Sequence, residues 1–178
     1  MNNKVWVYKS IDNSITKELM NKYGFNELCA AVLQNRTEIV GGNVDNLFKR
    51  VLYNLHNPYL LNDMDLAVVR IEKAIMRCEK ITVYGDYDAD GVTSTSLLYM
   101  FLKENGANVD FYIPNRFDDG YGISTGVLDK LCADGTKLII TVDNGITAAE
   151  EIEYAKKLGV DVIVTDHHEP PKDLPNAI

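Results

Sequence analysis

The sequence predicts an α/β fold: a parallel β-sheet with helices on both faces, preceded by an N-terminal helical region. Three observations carry this. From residue 80 onward, short β-branched or apolar runs alternate with helix-like stretches, and the links between them are short. The later runs, such as KLIITV and VDVIV, are almost continuously apolar, as expected of strands buried on both faces. Before residue 79, apolar residues recur at helical rather than alternating spacing.

In order, Ser14 can cap ITKELMNKY, and Gly24 sits where that helix would stop. FNELCAAVLQNR places Leu28, Ala31, Val32 and Asn35 on one face, and NVDNLFKRVL continues the pattern. Pro58 separates it from DMDLAVVRIEKAIMRCE, where Leu66, Val69, Lys73 or Ala74, and Ile75 or Met76 recur at helical spacing. KITVYG is the first strand. TSTSLLYMFLKENG is a helix closed by Gly106, and NVDFYI is a strand ended by Pro114. ISTGVLDKLCADG is a helix stopping at Gly135. KLIITVDNG is a strand, AAEEIEYAKKLG a helix closed by Gly159, and VDVIVTDHH a further strand. The expected division is a lead-in over 1–78, packing on the core, and an α/β domain over 79–178. NAI reads as the start of another strand, so the sequence reads as a fragment.

Composition narrows the function. Hydrophobic residues make up 46% and charged residues 25%, ordinary for a globular protein. No apolar run approaches the roughly 20 residues of a membrane span, and the first residues lack a signal-peptide core. The expectation is a cytoplasmic protein with no membrane partner. Cys29, Cys78 and Cys132 form no C-x-x-C pair, so buried, reduced thiols are expected. The net charge of −8 argues against a surface that grips nucleic acid all over, though not against a local groove.

In an open parallel sheet, ligands bind beyond the carboxyl ends of the strands. After ITVYG come Asp86, Asp88 and Asp90. After LIITV come Asp143, Asn144 and Gly145, and after VIVT come Asp166, His167 and His168. Three strands thus deliver acids or imidazoles at one end. An EF-hand is excluded: with Asp86 first, loop position 12 is Leu97 instead of Glu, and a strand precedes the loop. A P-loop and a dinucleotide fingerprint are absent. Carboxylates with imidazole and no thiolate suit Mn²⁺ or Mg²⁺. Two such ions about 3.5–4 Å apart are a standard device for hydrolysing phosphate esters. Bland roles remain open beside this one. Asp86 can cap a turn or helix, the DNG of Asp143 can be turn chemistry, and Asp166 can orient an imidazole.

VYGDYDADGVTSTSLL, TVDNGI and VTDHHEP, in that order, resemble the DHH phosphoesterases. With PNRFDDGYGIS, the pattern is similar to the RecJ-type branch, single-strand-specific 5′→3′ exonucleases of DNA repair and recombination. The resemblance covers about residues 65–172. It implies two Mn²⁺ or Mg²⁺ ions, with Asp88 and Asp90 serving one metal each, Asp143 bridging, and His167 on the second metal. His168 would face the scissile phosphate, and Asp86 would be an auxiliary acid. The implied reaction is in-line attack on a phosphodiester of single-stranded DNA, releasing 5′-mononucleotides. Arg116 would contact a phosphate, or equally pair with Asp118 or Asp119, and Tyr121 would contact a base or sugar. A helicase or single-strand-binding protein would be a partner. Tyr84 stands where many members carry a metal-binding histidine. The family's fourth motif, a downstream aspartate, lies beyond Ile178. The competing readings are a DHH phosphodiesterase for oligoribonucleotides or cyclic dinucleotides, and a non-catalytic scaffold keeping the fold.

Overall fold

The computed structural model describes residues 9–36, 44, 55–115 and 122–178. The helix expected over NVDNLFKRVL lies outside them, as do Arg116, Tyr121, Asp118 and Asp119. The chain divides into two compact units, Met1–Asn57 and Pro58–Ile178.

In the first unit, α1 (Asn13–Tyr23) and α2 (Glu27–Gln34) pack around Leu19, Ala30 and Val44. Asp12, not Ser14, caps α1. Its carboxylate reaches the backbone N–H of Ser14 at 2.8 Å and the Ser14 hydroxyl at 2.6 Å. Gly24 closes the helix in the left-handed conformation, as its sequence position predicts. In α2 the buried residue is Ala30, while Leu28 and Val32 of the expected face are exposed.

The second unit begins with a short 3₁₀ turn (Pro58–Leu60) and α3 (Met64–Met76). Then come β1 (Lys80–Tyr84), α4 (Ala89–Glu104), β2 (Val109–Tyr112), α5 (Thr125–Ala133), β3 (Thr136–Val142), α6 (Ala149–Lys157) and β4 (Asp161–Thr165). The four strands form one parallel sheet in the order β2-β1-β3-β4. Alternate residues feed two cores, because side chains on a strand point to opposite faces. Ile81, Val83, Leu138 and Ile140 pack with α3 and α4 on one face. Tyr84, Ile139 and Val162 pack with α5 and α6 on the other. The fold class is therefore the predicted one.

The stripe that α3 lays on the sheet is Ala67, Ile71, Ala74 and Ile75. Of the expected stripe, Ala74 and Ile75 are the alternatives that pack inward, while Leu66, Val69 and Met76 are exposed. The run LAVV supports two stripes one residue apart. The stripe with alanines lets the helix approach the sheet closely, and Ala74 is completely buried there. Arg70, on the same helix, reaches Glu79 at 2.8 Å and Asp161 at 2.6 Å, tying α3 to the amino end of the sheet.

All three cysteines are free, but the expected burial is not found. Cys29 and Cys78 are exposed and Cys132 is half-buried. Cys78 occupies the turn between α3 and β1 with φ 53°, a position fixed by the turn and not by packing.

Ile178 runs beside β4. Its N–H donates to Val162 O at 2.9 Å, and Val164 N–H donates to Ile178 O at 3.2 Å, the bond pattern of a parallel neighbour. Ile178 of NAI thus makes the bonds that a further strand would make at this edge.

Candidate metal centre

The chain runs from β1 outward to β2, then returns across β1 to place β3 on its other side. Adjacent loops after β1 and β3 therefore leave in opposite directions and open a crevice between them. Such a switch point is where open parallel sheets bind ligands.

The β1 side supplies three carboxylates. Asp86 follows the close-packed Gly85, is 4% exposed, and accepts the Tyr87 N–H at 2.7 Å. Asp88 is the N-cap of α4, accepting from Asp90 N–H at 2.9 Å and Gly91 N–H at 3.0 Å. Asp90 sits in the first helical turn, and the Ser94 hydroxyl donates to its backbone carbonyl. Gly91 is required here, since a Cβ would lie 2.5 Å from the Asp86 carbonyl oxygen. The helix start is thereby pressed against the loop that carries Asp86.

On the β3 side, Asp143 takes the left-handed conformation, φ 62°, unusual for a non-glycine residue. Its N–H donates to Thr165 O at 3.0 Å. Gly145 follows at φ 106°, a conformation that favours glycine, and a Cβ there would lie 2.9 Å from the Thr141 hydroxyl. This break in the strand turns Asp143 out toward the crevice and Asn144 back into the protein.

From β4, Asp166 gathers the two histidines. One of its oxygens accepts from His167 N–H at 2.8 Å and His168 N–H at 3.1 Å, and lies 2.7 Å from His168 Nδ1. The other accepts from Ile146 N–H at 3.0 Å. His167 Nε2 stands 2.9 Å from Asp143 Oδ1, and the two imidazole rings lie 4.8 Å apart.

Two sets of donor atoms result, each within 4.8 Å of one another: Asp86, Asp88 and Asp143, and Asp143, His167 and His168. Asp143 belongs to both. Asp90 falls in neither set but lines the same open cavity of about 430 Å³, with Ser94, Asp143, Thr165, Asp166 and His167. Among the described residues, the ion pairs to these acids come from imidazole alone.

Electrostatics match that crowding. Burial, and then the negative charge of Asp88, raise the Asp143 carboxyl above its ordinary value, with His167 only partly offsetting them. For Asp166 burial pushes upward, but the hydrogen bonds from Ile146, His168 and His167 prevail and hold its carboxyl below the usual value. The hydrogen bond to Asp166 in turn raises the His168 imidazolium. The donor set, oxygen and imidazole nitrogen without thiolate, fits a hard or borderline divalent ion.

Tyr84, where the resemblance would lead one to expect a metal-binding histidine, does not face the crevice. It is fully buried, and its hydroxyl donates to Gly122 O at 3.0 Å. Sequence reasoning missed what Asn144 does, since D-N-G reads only as a turn until the side chain's partners are seen.

An α/β domain with acids and histidines gathered at the switch point of a parallel sheet defines the class, and the sequence agrees. The chain belongs to the DHH family, whose N-terminal domain matches residues 80–178. Its relatives include the single-stranded-DNA-specific exonuclease RecJ of Bacillus subtilis (strain 168), 41% identical over 97% of this chain and 22% of that protein. RecJ of Escherichia coli (strain K12) is 47% identical over 66% of this chain and 20% of that protein. A crystal structure of exonuclease RecJ bound to manganese superimposes with a TM-score of 0.62 at 39% identity, covering 66% of this chain and 30% of that one. RecJ of Thermus thermophilus in complex with Mn²⁺ gives 0.65 at 29% identity, covering 92% and 22%. The chain spans about a fifth of the length of the curated relatives it matches.

Proposed function

We propose that this chain forms part of the catalytic core of a two-metal phosphodiesterase, a 5′→3′ exonuclease on single-stranded DNA. The observation that carries the reading is that Asp143 belongs to both donor sets. One carboxylate shared by two clusters is what a bridged pair of ions requires. The relatives' activity and the manganese in two related structures support the metal and the substrate. We take the DHH domain to begin at 79, with the preceding helical segment as its lead-in.

Asp88 and Asp90 would each hold one ion, with Asp86 beside them. Asp143 would bridge, and His167 would complete the second site. When bound, the pair supplies an activated water and neutralises charge on the phosphorus oxygens. His168, whose ring is oriented by Asp166 and whose imidazolium that hydrogen bond favours, would donate to a phosphate oxygen. Hydrolysis breaks the bond between phosphorus and the 3′ oxygen and releases a 5′-mononucleotide. Arg116 and Tyr121 would contact the phosphate and the base or sugar. We place the activity in the cytoplasm, in repair and recombination, with a helicase or single-strand-binding protein supplying the strand. Among the described residues no helix is long and apolar enough to cross a membrane.

The test compares Mn²⁺-dependent turnover of a 5′-phosphorylated DNA single strand and of a cyclic dinucleotide by the full-length protein. Faster cleavage of the DNA is expected. Faster cleavage of the cyclic dinucleotide would favour the phosphodiesterase reading and overturn this one.

A further inference from the structure

The last backbone pairing between β1 and β3 joins Tyr84 to Thr141. Beyond it, the side chain of Asn144 continues the connection. Its amide nitrogen donates to Tyr84 O on β1 at 3.2 Å and to Val142 O on β3 at 2.9 Å. Asn144 is 2% exposed, and its buried amide oxygen has no hydrogen-bond partner among the described residues. Both neighbours are carbonyls, so only the NH₂ end can face them, and the amide orientation is fixed by chemistry.

Two unfavourable features therefore sit side by side: an amide oxygen without a partner, and a left-handed Asp143. Such costs persist where the surroundings over-determine the conformation, and they concentrate at functional sites. The geometry shows what is gained. Asp86 and Asp88 hang from the end of β1, just past Tyr84. Asp143 hangs from the end of β3, next to Asn144. Among the described residues, the Asn144 side chain joins these two ends beside the gap across which the carboxylates face each other.

We infer that Asn144 is a positioning residue that fixes the spacing of the two metal ions by splinting the carboxyl ends of β1 and β3. The inference rests on the two-metal reading above. It distinguishes Asn144 from a residue that only stabilises the turn, because it ties the side chain to the metal pair and not merely to folding.

The test uses the full-length protein with Asn144→Asp, Asn144→Ala and Thr136→Val. An aspartate would place oxygen against both carbonyls, whereas alanine simply removes the splint. Thr136→Val is the matched control. It deletes a buried hydrogen bond of 2.8 Å to Thr82, between the same two strands but far from the crevice. Mn²⁺ is the probe. Its stoichiometry and affinity are read by calorimetry, and its pairing by the exchange-coupled signal in low-temperature electron paramagnetic resonance.

The wild type and Thr136→Val should bind two ions with a coupled signal and affinities within about threefold of each other, as distant sites behave. Both Asn144 variants should lose the coupled signal, and their affinity for the second ion should fall by about 10–100-fold, the usual cost of removing a residue that orients ligands. On single-stranded DNA, kcat should fall with KM held. A coupled signal of wild-type strength in either Asn144 variant would overturn the inference. So would its loss in Thr136→Val at an equal fall in melting temperature, since the effect would then be one of stability. A wild type without a coupled pair would instead overturn the two-metal reading itself.

Discussion

His167 Nε2 lies 2.9 Å from Asp143 Oδ1, joining a loop after β4 to a residue that breaks out of β3. In this contact the imidazole partly relieves a carboxylate that also faces Asp88. The arrangement makes Asp143 the residue on which both halves of the site converge, and its substitutions are the most informative.

Asp143→Ala in the full-length protein should abolish Mn²⁺-dependent hydrolysis. The loss should exceed the roughly 10–100-fold typical of residues that only orient ligands. Steady-state turnover on 5′-phosphorylated single-stranded DNA measures it, and near-normal turnover would mean that the bridge is assigned wrongly.

Asp143→Asn separates electrostatics from metal binding. Asp143 is raised above its ordinary value, so the native state binds this proton more tightly than the unfolded state does. The metal-free wild type therefore loses stability as pH rises from the ordinary value, 3.8, through the raised one. In chelator at pH 7 the neutral amide should melt higher than wild type, and the gap should close toward acid pH. Added Mn²⁺ should reverse the order, because binding to the native state stabilises it by mass action. Thermal unfolding across pH, with and without Mn²⁺, checks both signs.

Asp166→Asn removes an acceptor that organises three backbone N–H groups and the His168 ring. Metal affinity or turnover should fall by about 10–100-fold. The imidazolium of His168, no longer held by a carboxylate, should titrate at lower pH. Its proton resonances followed by NMR across pH would show this.

Gly91→Ala forces a methyl group against the Asp86 carbonyl. It should cost about 1–3 kcal/mol, as overpacking does, and weaken Mn²⁺ binding, since Asp86 and Asp88 flank the contact. Gly126→Ala meets open space and should change stability by less than about 0.5 kcal/mol. Urea unfolding of the two variants gives the comparison.

Much of this was legible in the sequence, for physical reasons. Period and punctuation mark β1 to β4, and the apolar runs show that the sheet is covered on both faces. The three acidic or histidine-bearing strand ends were visible because a parallel sheet sends all its carboxyl ends to one side. What stayed hidden depends on choices between near-equivalent neighbours. The α3 stripe departs from the expected one in its first half, where Ala67 and Ile71 pack on the sheet in place of Leu66 and Val69. The cap of α1 is Asp12, two residues before Ser14, which lies inside the first turn. Asn144 was invisible as a splint, because its partners, Tyr84 O and Val142 O, become neighbours only once β1 and β3 are paired.

The most direct test of the central claim is the anomalous diffraction of Mn²⁺ in crystals of the full-length protein. Two peaks about 3.5–4 Å apart, bridged by Asp143 with Asp88 and His167 on opposite sides, are the predicted result. A single ion, or a pair of ions that Asp143 does not touch, would contradict it.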